Sequence, residues 1–300
     1  TQDFSASMIT NVGGINDESF NQSAWAGMQK LESDLGVKVS FRESEKDADY
    51  APNLEAEVDT QPNIIWGIGF LMKDHLREAA ESNPDQLFGL IDDYFEDGEL
   101  PNVIGVTFNA EQSSFEVGYI AGHMTETNRV GFVLGMESPT MDRFKYGYFA
   151  GVNYAAKELG KEIEIDSVTV ETFNDTAKGK ATAQKMYNDG ADVIFHAAGQ
   201  TGSGCIEAAK EMNKMVIGVD LDQNKLAPDN VITSGLKNVD VAIYEITKRV
   251  MDGEDLGGST ITMGLTEGGV GIAPTSDKHV PAEVLTKVDD IAKKLVSGDI

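Results

Sequence analysis

The chain reads as an α/β protein made of two doubly wound parallel-sheet lobes. Three observations predict this. Apolar stretches that suit strands alternate with amphipathic stretches that suit helices almost throughout the 300 residues. Runs such as Ile64-Ile65-Trp66 are apolar without alternation, as expected of strands covered by helices on both faces. The alternation then restarts near residue 109, in a chain too long for one core, since single cores stop growing near ~250–300 residues.

In order, Ala6–Ile9 suits a strand, and a helical pattern begins near Phe20. Val37–Arg42 suits a strand and Tyr50–Thr60 a helix, with Leu54 and Val58 four apart. Strands are expected over Asn63–Phe70, Gln86–Ile91 and Val103–Phe108, with a helix over Leu71–Ser82. The second series has helices over Glu111–Met124, Met141–Leu159, Ala177–Asn188 and Ser203–Asn213. Its strands are Val130–Leu134, Ile163–Thr172, Asp192–Ala197, Met215–Val219 and Val231–Leu236. Helix Val239–Met251 and strands Thr260–Leu265 and Val270–Ala273 follow, and Pro281–Val296 closes the chain with Pro281 in its first turn. No Gly/Ser/Pro-rich linker separates the two series, so the chain is expected to cross between lobes near Asn109, Gly235–Asn238 and Glu267–Gly271. The expected lobes are 1–108 with 238–267, and 109–237 with 268–300, with a ligand cleft between them.

Composition narrows the function. Fifty acidic residues against 24 basic give a net charge of −26, which repels nucleic acid and disfavours anionic ligands. It also suits a saline habitat. No apolar run approaches the ~20 residues of a membrane span. The single cysteine, Cys205, cannot form an internal disulfide and reads as a buried, inert thiol. His75, His123, His196 and His279 are scattered, without metal-ligand spacing, and His196 reads as a structural residue within a strand. There is no G-x-S-x-G elbow. The glycine-rich run Gly199–Gly204 lacks a G-K-[ST] ending, although such a loop at a helix start can offer N–H donors to a ligand oxygen.

Candidate site residues lie at strand ends, which share one edge of a parallel sheet. The stretch Thr10–Trp25 combines the glycine pair Gly13-Gly14, Asp17 as a helix cap, and Phe20, Asn21 and Trp25 near one helix start. By spacing alone, Phe20 and Trp25 read as core packing. Other ends present Gly69-Phe70, Asp92-Asp93, Gly135-Met136, Phe173-Asn174-Asp175, Ala198–Gly202, Asp220-Leu221-Asp222 and Leu236-Lys237. The acidic pairs read either as loop charge or as acceptors for ligand hydroxyl and N–H groups, and Asp220 and Asp222 would share a face if extended. Lys237 reads as a surface lysine by spacing, and as a candidate donor by its place at a strand end. The facing edges of two such lobes would enclose a cleft lined by aromatics, carboxylates, backbone amides and one lysine.

Four segments, VGGINDESFNQSAWAGM (Val12–Met28), FNDTAKGKATAQKMYNDGADVIFHAAGQTGSG (Phe173–Gly204), GVDLDQ (Gly218–Gln223) and TSGLKNVDVA (Thr233–Ala242), resemble the basic membrane protein family. These are PnrA-like substrate-binding lipoproteins of ABC importers, and the resemblance runs over nearly the whole chain in the right order. It implies a type I periplasmic-binding-protein fold with three crossings, and a nucleoside ligand, a purine nucleoside being expected. Phe20 and Phe173 would sandwich the base. Asp17, Asn21 and Asp92 would hydrogen-bond from the first lobe, with Asp93 competing for the place of Asp92. Asp220 and Lys237 would hold the ribose, aided by the backbone at Gly199, while Trp25 and Phe70 would wall the pocket. Gln200 departs from the small residue expected there and puts the local backbone contact in question. The resemblance further implies no enzymatic activity, no cofactor and no metal. It implies a monomer that docks on an ABC permease, anchored outside the cytoplasm by lipid on an N-terminal cysteine absent from these residues. A receptor for a sugar or quorum signal, and a nucleoside hydrolase using Asp92, Asp93 and Asp220 on a metal, stand as alternatives.

Overall fold

In the computed structural model, which describes residues 3–300, the apolar segments become the central strands of two separate sheets. The chain divides into two units, Thr1–Phe108 with Asn238–Met263, and Asn109–Lys237 with Gly264–Ile300. The first begins β1 (Ser5–Val12), α1 (Phe20–Leu35), β2 (Lys38–Ser44), α2 (Tyr50–Thr60), β3 (Ile64–Ile68), α3 (Lys73–Ser82), β4 (Phe88–Ile91) and β5 (Val103–Phe108). The second has α4 (Ala110–Met124), β6 (Arg129–Leu134), α5 (Pro139–Leu159), β7 (Glu164–Thr169), α6 (Thr176–Asn188), β8 (Val193–Ala197), α7 (Thr201–Met212), β9 (Met215–Asp220) and β10 (Val231–Lys237). The chain returns to the first unit for α8 (Val239–Met251) and β11 (Thr260–Met263), and ends in the second with β12 (Val270–Ile272) and α9 (Ala282–Ser297).

The first sheet runs β11-β5-β4-β3-β1-β2 and the second β12-β10-β9-β8-β6-β7. All pairs are parallel except β10 with β12. Setting β11 and β12 aside, each sheet has the order 2-1-3-4-5 in its own count, so the two units share one topology. Strand β3 is buried along its whole length, and the Trp66 indole N–H there donates to Thr247 Oγ1 of α8 at 3.0 Å, so the ring is buried with its polar atom satisfied. On one flank of this sheet, Tyr50 and Leu54 of α2 and Leu76 of α3 pack with Ile65, Phe88 and Leu90. In the second unit Ala183 and Met186 of α6 and Ile206 and Ala209 of α7 pack with Val133, Ile194 and Val216.

Several boundaries differ from the sequence reading, and three of them have a local cause. Helix α5 starts two residues earlier, because Ser138 caps it, its Oγ accepting from the Met141 N–H. Pro281 is the residue before α9 rather than its first turn. The last boundary falls at Met263, not Glu267. Strand β11 ends where Met263 pairs with Phe108, and the Leu265 N–H already donates to Gln112 Oε1 of α4.

Candidate functional site

In an open parallel sheet of this order, ligands gather where neighbouring strands send their connections to opposite faces. That point lies between β1 and β3 in the first unit and between β6 and β8 in the second.

In the first unit, Gly69 follows β3 with φ 111°, and a Cβ there would stand 3.1 Å from Asn11 Nδ2 and 3.4 Å from the Phe20 ring. The bare glycine thus admits both side chains. Asn11 Oδ1 accepts from the Tyr50 hydroxyl and the Val12 N–H, both at 2.8 Å. Asn21 reaches back to the end of β1, accepting from the Asn11 N–H at 2.9 Å and donating to the Asn11 carbonyl at 3.2 Å. The Asp17 carboxylate accepts from the N–H groups of Ser19, Asn21 and Gln22 at 2.8–3.0 Å. Burial pushes its pKa up against the pull of those three donors. Asp17 and Asn21 therefore both serve the start of α1, and what they place is the half-buried ring of Phe20. Trp25 stands edge-on to Phe41 of β2 with ring centroids 4.8 Å apart. Phe70, half-buried, opens a short 3-10 turn directly after Gly69.

Asp92 follows β4 at φ 75° and is 5% exposed, with its N–H held by the Val106 carbonyl at 2.8 Å. Its neighbour Asp93 accepts from Lys73 Nζ at 2.9 Å and from the Tyr94 N–H at 2.8 Å.

In the second unit the Phe173 ring lies on Gly135, where a Cβ would come within 2.3 Å of it. Gly199 follows β8 at φ 56°, and two residues on the Thr201 N–H donates to the Phe173 carbonyl at 3.1 Å. Gln200 has φ −61° and ψ −33°, a conformation open to any residue, so the departure at 200 leaves the turn intact; glycine is needed at 199. Asp220 has φ 66° inside a γ-turn closed by the Leu221 N–H on the Val219 carbonyl at 2.8 Å. A non-glycine residue there is strained. It is therefore not extended alongside Asp222, whose carboxylate takes the Thr275 hydroxyl at 2.8 Å and the Asn224 N–H at 3.1 Å. Lys237, read by spacing as a surface residue, is 2% exposed, and its ammonium stands 5.3 Å from the centroid of the Phe144 ring. Leu236 pairs directly with Asp220, which puts Asp220 and Lys237 on neighbouring strand ends.

Asp92 and Asp220 occupy the same topological position, at the carboxyl end of the fourth strand of each unit, and both hold φ > 0 while nearly buried. Gly69 and Gly199 are equivalent in the same way, after the third strand. Tyr50 and Phe144 were missed from sequence, since each falls at ordinary helical spacing among apolar residues. Among the described residues no group of three or more His, Cys, Asp and Glu is placed to hold a metal ion.

Two sheets of this order, each with ring, bare glycine and strained carboxylate on its carboxyl edge, define a protein of the type I periplasmic-binding-protein class. An ABC transporter system solute-binding protein from Aeropyrum pernix K1 has this fold, with a TM-score of 0.90 and 29% identity over 99% of this chain and 92% of that one. Basic membrane protein A of Borreliella burgdorferi is 37% identical over 96% of this chain and 84% of its own length. The ABC transporter nucleoside-binding protein BmpA of Lactococcus lactis subsp. cremoris is 34% identical over 96% and 88%. The family described as Bmp, ABC transporter substrate-binding protein PnrA-like, matches residues 4–300, and the chain belongs to it.

Proposed function

We propose that this protein binds a nucleoside, a purine nucleoside foremost, outside the cytoplasm and hands it to a membrane permease without altering it chemically. The observation that carries the reading is the repeated edge: each unit sets an aromatic ring beside a bare glycine and a left-handed aspartate one strand away. Rings suit a flat base, and aspartates suit hydroxyl and N–H donors. The nucleoside-binding relative supports the choice of ligand. In this reading Phe20 and Phe173 stack on the base. Asp92 accepts from the base edge, and Asp220 and Lys237 hold the ribose beside the Gly199 backbone. Asp17 and Asn21 act through Phe20, and Trp25 stays in the packing of its own unit. The receptor works as a monomer tethered to the membrane.

Calorimetry with guanosine, adenosine, uridine and guanosine monophosphate tests this. A nucleoside should bind, and its monophosphate at least about tenfold more weakly, because a phosphate would meet Asp92 and Asp220. Phe173→Ala should cost about 1–3 kcal/mol of binding, roughly a ten- to hundredfold loss. Equal affinity for guanosine and its monophosphate, or no change in Phe173→Ala, would sink the reading.

A further inference from the structure

We propose that His196 and Gln223, a hydrogen-bonded pair buried beneath the carboxyl edge of the second sheet, are positioning residues that lock the Gly199 turn and the Asp220 turn into one fixed arrangement. The inference deepens the nucleoside reading above and rests on it for its consequence in binding.

His196 lies in β8 with no exposed surface. Its Nε2 stands 2.8 Å from Gln223 Oε1. The same oxygen accepts the Val219 N–H at 3.0 Å, and this backbone donor fixes which way the Gln223 amide points. An oxygen that only accepts requires the hydrogen on Nε2, so Nδ1 carries the lone pair. Burial lowers the imidazole pKa to about 4, so the ring stays neutral with a single N–H. Nδ1 is buried without a hydrogen-bond partner among the described residues and faces the first turn of α7: a Cβ on Gly202 would come within 1.9 Å of it.

Each end of the pair meets a turn that carries a proposed ligand residue. At the His196 end, the first turn of α7 begins Gln200-Thr201-Gly202 and follows directly on Gly199. Thr201 ties it to the Phe173 segment by its N–H to the Phe173 carbonyl and by its Oγ1, which donates to the Thr172 carbonyl at 3.2 Å. At the Gln223 end, the side chain holds Val219, the residue before Asp220. The Gln223 N–H donates to Ser234 Oγ at 3.2 Å, three residues before Lys237. Gly218 is bare where a Cβ would stand 2.5 Å from Ser234 Oγ and 2.7 Å from Gln223 Oε1. Two glycines, 202 and 218, thus make room for the pair. An apolar pair of similar volume would fill the space without desolvating an imidazole and an amide. What the polar pair adds is direction: one N–H and one lone pair define the ring's orientation, and the ring sets the height of α7 against β9.

The test compares His196→Leu, which removes the donor, with His196→Gln, which returns an N–H to the place of Nε2. Gln223→Met removes the bond from the other side, and serves in place of His196→Leu if that variant does not fold. Two readouts are taken: guanosine and adenosine affinity by calorimetry, and hydrogen exchange of the Thr201 and Val219 amides in the ligand-free protein. His196→Leu should bind about tenfold more weakly and exchange at both amides about tenfold faster, and Gln223→Met, which also removes the acceptor of the Val219 N–H, should show the same loss of affinity and the same faster exchange at Thr201, with Ile65 and Leu90 of the first sheet unchanged in both. His196→Gln should stay within about threefold of the parent in both. Parent-like exchange and affinity in His196→Leu would overturn the proposal. So would a His196→Gln variant as loose as His196→Leu, since ring volume rather than the hydrogen bond would then be responsible. If the parent binds neither nucleoside, the ligand reading fails, while the exchange data still decide on the pair.

Discussion

Glu116 sits mid-way along α4, 3% exposed, with a carboxylate Oε2 that no donor reaches among the described residues. Burial, with a smaller push from the Asp289 carboxylate, raises its pKa to about 8 from an ordinary 4.5. The folded state therefore binds a proton that the unfolded chain has released at neutral pH. The stability this protonation confers is complete below pH 4.5 and is lost as pH rises to about 8. Glu116→Gln keeps the shape of the neutral acid and cannot ionise. Its stability relative to the parent should climb between pH 5 and 8 by a few kcal/mol and level off above, since each pKa unit corresponds to about 1.4 kcal/mol. Denaturant titrations across that range check this, and a constant difference would refute it. Sequence revealed little at this scale. Asp92 and Asp93 are indistinguishable as letters. They differ because backbone φ at 92 turns left-handed while the side chain of 93 meets Lys73 from α3, and both facts depend on how distant strands pair. Gln200 looked like an obstacle in sequence only because the left-handed residue is its neighbour, Gly199.

Helix α1 shows how an element is set in place. Its residue just before the first turn, Ser19, supplies no side-chain cap, and the Asp17 carboxylate takes three N–H groups instead. Asn21 then ties the same turn to the end of β1. Asp17→Ala would strip three backbone donors, two of them buried, of their acceptor and should cost about 1–2 kcal/mol or more in unfolding free energy. Asp17→Asn, which keeps one acceptor oxygen, should recover part of it. Equal stability of Asp17→Ala and the parent would show that water replaces the carboxylate there. Elements were the most legible scale: α2, β5 and α8 begin and end where periodicity put them, because each is bounded by a change from apolar pattern to polar turn. Boundaries drifted where a long-range bond decides. Strand β2 runs two residues past Arg42, to Ser44, whose N–H is held by Thr10 Oγ1 of β1. Helix α7 starts at Thr201 because the turn at Gly199 ends there.

At the scale of the molecule, the duplicated 2-1-3-4-5 order is invisible as a sequence repeat, since topology constrains which segments are apolar rather than which residues they contain. Charge, by contrast, is fully legible and unevenly shared. The first unit holds 26 acidic and eight basic residues, net −18, and the second 24 and 16, net −8. Most of these charges are solvent-exposed, where an ion pair contributes only about 0–1 kcal/mol, so local pairing cannot offset the repulsion summed over the first unit. Salt can: the screening length falls from about 30 Å at 0.01 M to about 3 Å at 1 M. Stability should therefore rise from low to molar sodium chloride, and the first unit should gain more. Hydrogen exchange at Ile65 and Leu90 in the first sheet, and at Ile194 and Val216 in the second, reads the two separately. At low salt the first pair should open at lower free energy, and the gap should narrow as salt is added. Equal protection at every salt concentration would mean that charge does not rank the units. No gain in either between low and molar salt would remove electrostatic repulsion as a limit on this fold, and with it the physical basis for a saline habitat.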